Sequence, residues 1–170
     1  MSKKRLIRRL SWYYPTELFN VFLFSGIAVW LILEYSFSDI VFLIYGLLLM
    51  VIILFQGQYY WKLKLDAMKG KFVNQEKALL FFRFSEKLNM TMIAIIPLML
   101  LVQFYLNGWT LLEENFIFWA IFANIFGILE HINYYHRQLM VDNRFDIKYL
   151  LINKRLKISS LKKDLKASKI

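Results

Sequence analysis

"DIVFLIYGLLLMVIILFQGQYYWKLKLDAMKGK", residues 39–71, decides the fold. From Ile40 to Trp61 it carries no charge, and about 20 mainly apolar residues are what a helix needs to cross a hydrocarbon core roughly 30 Å thick. Nothing in the stretch stops the helix at a membrane boundary. Gln56 and Gln58 lead into Tyr59, Tyr60 and Trp61, the residue types of an interfacial belt, and then into alternating lysine and leucine with no breaker before Gly70. The reading is a membrane helix that continues into water to about Met68 and turns at Lys69 to Lys71 around Gly70. The next helix begins near Asn74, a good N-cap residue, with Glu76 in its first turn.

Working outward, three further stretches are apolar enough to span, giving spans at about 16–33, 40–58, 89–106 and 116–135. The connections "EYSFSD" (34–39) and "NGWTLLEEN" (107–115) are short, so the helices on either side of each are antiparallel neighbours. The fold class is an all-α integral membrane protein, a four-transmembrane-helix bundle. Helices 2 and 3 extend beyond it as a cytoplasmic hairpin over about 59–88, with Ala78, Leu79 and Phe82 facing helix 2. A basic segment, 1–15, precedes the transmembrane domain, 16–135, and a basic tail, 136–170, follows it. The apolar run after "MSKKRLIRRL" is long enough to span and lacks a cleavage signal, so it is read as retained. In the tail, "DIKYLLINKRLKISSLKKDL" (146–165) spaces Ile147, Leu150, Leu151, Ile158, Leu161 and Leu165 at helical intervals among lysines and arginines. This predicts a basic amphipathic helix lying along an anionic membrane surface.

The chain has 170 residues, 59% of them hydrophobic, and a net charge of +10. Its charges are sorted by side. All 22 Lys and Arg residues fall in the amino-terminal segment, the middle segment or the tail, while the two short loops hold only Glu34, Asp39, Glu113 and Glu114. By the positive-inside rule both termini and the middle segment are cytoplasmic, and the expected location is the inner (plasma) membrane, crossed several times. The chain has no cysteine, which excludes disulfides, thiolate metal sites and a cysteine nucleophile.

At 1.5 Å of rise per residue, Glu130 of the fourth span lies roughly 22 Å from the outer loop, inside the membrane near its inner face. Gln56 lies at a similar depth, with Asn89 and Asn20 close to the inner boundary, so each helix supplies a polar side chain to one layer. By contrast the outer half offers chiefly Ser25, Gln103 and Asn124. On a wheel of 100° per residue Glu130, Asn133, Tyr134 and Arg137 share about 100° of arc, while His131 and His136 are about 140° apart and do not both join that face. An intramembrane carboxylate is costly and calls for a partner; Arg137, Arg83 and Lys87 are the candidates. The layer Glu130, Asn133, Arg137, Gln56, Asn89, Asn20 and Arg83 is therefore either a hydrogen-bond network fixing helix register or a proton or ligand site. His131 and His136 are secondary candidates, expected at the interface. Ala123 and Gly127, with Ala120 nearby, are spaced for close helix packing, within the bundle or against a second copy.

No catalytic residue, metal site or cofactor is expected. A di-iron bundle would need His where Asn133 stands, and no other span carries a histidine. Partners expected are the lipid bilayer, anionic lipid headgroups against the basic segments, and a second copy or a partner membrane protein. Nucleic acid is disfavoured, because Lys and Arg with Tyr and Trp are what any inner leaflet attracts. The function expected is non-enzymatic: an accessory or regulatory membrane protein that binds a partner protein or anionic lipid through its cytoplasmic face. The alternatives are a small oligomeric channel or transporter using the Glu130 layer, or a lipid-modifying enzyme with Glu130, His131 and His136 as its acid and base groups. A nearly dry outer half weakens the channel reading for a single chain.

Overall fold

The computed structural model describes residues 3–141 and 144–170. The chain is helical: α1 (Lys3–Glu34), α2 (Phe37–Met68) and α3 (Gln75–Leu106) are each 32 residues long, and a 3-10 turn at Glu113–Asn115 leads into α4 (Ile117–Tyr135). The tail forms α5 (Arg144–Asn153) and α6 (Ser160–Ala167). Among the described residues there is no strand, only an isolated antiparallel bridge between Arg137 and Ile158. Four segments are long and apolar enough to cross a membrane: Leu6–Glu34, Phe37–Met68, Gln75–Leu106 and Glu113–Tyr135.

The α2–α3 connection forms where the glycine and asparagine place it. Gly70 has φ +78°, a left-handed conformation with no Cβ to oppose it. The Lys71 amide bonds back to the Asp66 carbonyl at 3.0 Å, closing the end of α2. The Asn74 side chain accepts the Lys77 amide at 3.0 Å and so caps α3. Ala78, Leu79 and Phe82 are buried against α2, as their spacing implies. At the other terminus the helix begins earlier than residue 16. The basic segment is continuous with α1 through Pro15, and the hydroxyls of Ser11 and Thr16 bond to carbonyls one turn back, those of Ile7 and Trp12.

α2 is the axis of the bundle. A helix that is apolar on every side belongs inside; in the most apolar 18-residue stretch of α2, of mean hydropathy 2.6, 67% of the residues are buried, against 6% in that of α1 and 11% in that of α3. α1, α3 and α4 pack around it, and α1 and α4 make little contact with each other. The approach of α4 needs glycine on α2. A Cβ at Gly57 would fall 2.2 Å from Tyr134 Cζ, and one at Gly46 would fall 2.9 Å from the Asn124 backbone nitrogen. Gly127, with the buried Ala120 and Ala123, completes that seam from the α4 side, so the small residues serve packing within the bundle.

The end of the bundle with the short loops is not dry. Gln103, Asn115 and Asn124 are fully buried or nearly so and bind the backbone of α2. Gln103 accepts from the Phe42 amide at 3.1 Å and donates to the Ser38 carbonyl at 2.8 Å; Asn115 donates to the Asp39 carbonyl at 3.0 Å and Asn124 to the Phe42 carbonyl at 3.2 Å. Helical carbonyls keep a second lone pair for such donors. These amides fasten three segments to α2.

The tail departs from the single amphipathic helix expected over 146–165. The chain leaves helix after Asn153, with Lys154 at φ +50°, and α6 folds back onto the bundle. Leu161 (1% exposed) and Leu165 join Tyr60, Phe82 and Tyr135 in one core cluster. The physical reason is that the ends of α2, α3 and α4 leave apolar surface there, and these leucines remove it from water together with their own. Polar ties fix the register. Lys64 pairs with Asp164, Lys162 with Glu86 at 2.7 Å, and the Ser159 hydroxyl donates to the Tyr134 carbonyl at 2.6 Å while accepting the Lys162 amide.

Candidate functional site

The polar layer divides into two clusters, one sealed and one beside a cavity. In the sealed one, Gln56 Nε2 donates to Asn89 Oδ1 at 3.0 Å and Asn89 Nδ2 returns a bond to Gln56 Oε1 at 2.7 Å. The Tyr135 hydroxyl adds a third bond to Gln56 Oε1 at 2.8 Å. All three side chains are buried, so α2, α3 and α4 are tied at one level by a satisfied network.

The second cluster gathers around Tyr134. Its hydroxyl donates to Glu17 Oε1 at 2.9 Å, joining α4 to α1, and Gly57 leaves the room its ring occupies. Glu17 Oε2 is buried and has no hydrogen-bond partner among the described residues. Glu130 and Glu17 lie within electrostatic reach of each other and of Tyr134. Asn133 Nδ2 donates to Glu130 Oε2 at 3.3 Å, while its Oδ1 accepts the Leu139 amide at 2.9 Å and so pins the chain reversal after α4.

The cations expected beside Glu130 are elsewhere. Arg137 is exposed and donates to the Leu156 carbonyl at 3.3 Å, because the helix ends at Tyr135 and the wheel no longer applies to it. Arg83, also exposed, reaches Ser168 at 3.4 Å. Asn20 is half-buried on α1, about one turn beyond Glu17. The two histidines meet edge to face, with ring centroids 5.1 Å apart, but differ in exposure. His136 is exposed, but His131 is 2% exposed and stacks on Tyr135 with centroids 5.1 Å apart, where an interfacial position was expected. Its titratable neighbours are His136 and the Glu86–Lys162 pair, whose lysine is carried on α6. Among the described residues no group of three His, Asp or Glu side chains could hold a metal ion.

Glu17 was absent from the sequence reading, although a signal for it exists. It is the one charged residue between Arg9 and Glu34, in a stretch taken for the plain entry of the first span. It borders a cavity of about 160 Å³ between the first turns of α1 and the folded tail, whose walls include Arg9, Tyr13, Asn133, Asp146 and Ser160. Arg9 bonds through Nε to the Tyr13 hydroxyl at 2.9 Å; Asp146 is held by Lys157 at 2.6 Å and Gln138 at 3.0 Å. A second space of about 340 Å³ lies further along α1. It is lined by Phe24, Trp30, Leu47, Trp119 and Phe122, and is apolar throughout.

Fold and site define an all-helical protein with four helices able to cross a membrane and a cavity of mixed polar and apolar lining at the end where its tail folds. No protein-family model, curated protein sequence or solved structure matches the chain.

Proposed function

We propose that the chain is a non-enzymatic accessory or regulatory protein of the inner membrane, with both termini and the α2–α3 turn in the cytoplasm, and that it engages anionic lipid through the cytoplasmic face of its tail. The orientation rests on the distribution of charge: the short loops contain no Lys or Arg.

The observation that carries the lipid reading is the outer face of α5. At 100° per residue Arg144, Phe145, Ile147, Lys148, Leu151 and Ile152 fall on the side opposite the buried Asp146. Phe145, Leu151 and Ile152 are 62%, 73% and 67% exposed, and no acid interrupts them. Apolar side chains mixed with cations suit the boundary between acyl chains and anionic headgroups, where each Lys or Arg contributes about 1 kcal/mol. Tail attachment to the membrane thus passes from the whole stretch to α5 alone.

The test uses the absence of native cysteine. A polarity-sensitive fluorophore on Leu151→Cys, with the protein in nanodiscs, should shift to the blue when phosphatidylglycerol replaces part of the phosphatidylcholine, and shift back as salt is raised. Emission unchanged by lipid charge and salt overturns the reading, leaving a partner protein as the better occupant of that face.

A further inference from the structure

We infer that the groove between α1 and α4 near the short loops binds one hydrocarbon chain of a membrane lipid, from the leaflet on that side, whose headgroup carries no net negative charge. α1 and α4 each pack on α2 and scarcely on each other. The Tyr134–Glu17 bond bridges the seam toward the tail, and the groove opens from Phe24 onward. Leu47 and Met50 of α2, 5% and 2% exposed, lie at its floor. Ala123 gives it depth, because α4 presents only a methyl group there, one turn from the indole of Trp119. Ile27 and Trp30 form the α1 wall.

Chemistry and size identify the occupant. Every side chain lining the space is apolar or aromatic. Such a cavity holds no water and takes apolar guests, and left empty its walls forfeit dispersion contacts. The groove runs from Phe24 to Tyr35, about 16 Å of helical rise, which is close to half of a hydrocarbon core of roughly 30 Å. It therefore spans one leaflet. A volume of about 340 Å³ over that length gives a section of about 20 Å². A partner helix about 10 Å thick presents about 80 Å² and does not enter. A single polymethylene chain, whose carbons pack at about 4 Å from their neighbours, does.

The charge at the loop end selects the head. Tyr35 and Phe116 meet there edge to face, with centroids 4.8 Å apart. Glu34 precedes Tyr35, and Glu113 and Glu114 come just before Phe116; all three acids are exposed. The short loops hold no Lys or Arg. A head seated above these rings meets carboxylates and no cation, so an anionic head is repelled, whereas a choline or ethanolamine head brings its own cation. The groove is independent of any contact made by α5 and of which side of the membrane the loops face.

The test is native mass spectrometry of the full chain, delipidated in mild detergent and titrated with phosphatidylcholine, phosphatidylglycerol and lysophosphatidylcholine, all with oleoyl chains. One phosphatidylcholine should bind ahead of any further copies, at about threefold to tenfold lower concentration than phosphatidylglycerol. Lysophosphatidylcholine should displace it, because one chain fills the groove, and chainless glycerophosphocholine should not. Ile27→Trp, which puts a larger ring into the groove, should remove the first-bound lipid. Copies that add without a distinct first, in natural chain and variant alike, overturn the inference. So does a first copy that survives Ile27→Trp, or a preference for phosphatidylglycerol. Should Ile27→Trp not fold, phosphatidylcholine with a diazirine on its chain decides in the natural protein. At one lipid per protein it should label 24–35 of α1 and 116–123 of α4. Labelling spread onto α3, few of whose residues are buried, overturns the inference.

Discussion

Leu161→Ala isolates the contribution of the tail to the bundle. Leu161 is 1% exposed in a cluster with Tyr60, Phe82 and Tyr135, and no hydrogen bond or ion pair depends on its side chain. Truncating a buried leucine costs about 2 to 5 kcal/mol, the span reflecting how far the site collapses. Here collapse is restricted, because the three rings that make the walls belong to long helices fixed by their own packing. α6 has 8 residues, too few to stay helical alone, so its amides are protected only while it is docked. The full cost therefore falls on the undocking equilibrium. In hydrogen–deuterium exchange on the protein in nanodiscs, the Lys162–Ala167 amides should exchange about 30-fold faster or more, up to the rate of an unstructured peptide. Leu161→Met, which conserves volume, should change the rate by about tenfold at most. Amides of α2 and α4 in the bundle serve as the internal standard. If Leu161→Ala leaves exchange of α6 unchanged, the tail is not docked through this cluster, and the burial argument for α6 is wrong.

The Gln56–Asn89 pair should behave as a unit in thermal unfolding. Gln56→Leu or Asn89→Leu alone leaves a buried amide unpaired and should destabilise by about 1 to 3 kcal/mol, whereas the double variant should cost less than the sum; additive losses would mean that the two amides do not meet. Topology is read with an impermeant maleimide on intact cells: single cysteines at Ser36 and Thr110 should label from outside and one at Lys166 should not. Labelling of Lys166 would reverse the orientation.

What could be read in the sequence, and what could not, follows from the range of each signal. Gly70 and Asn74 act within a turn or two of themselves, and the end of α2 and the start of α3 that they imply are where the structure has them, whereas the first apolar run does not reveal that α1 starts at Lys3. The Tyr134–Glu17 bond joins positions 117 apart and the Tyr60–Asp164 bond positions 104 apart; no local pattern announces either. The tail is the instructive case. Helical spacing of Leu161 and Leu165 reports that one face is buried but not against what, and a basic amphipathic stretch looks the same whether it rests on lipid or on the bundle. The acids break that tie. Asp146 and Asp164 would each be repelled by an anionic leaflet, and each instead holds a lysine of this chain, Lys157 and Lys64. The face of α5 proposed to meet lipid has no acid at all. Within a basic tail beside a membrane, then, the position of a carboxylate marks a face that turns to protein, and its absence marks a face left for the membrane.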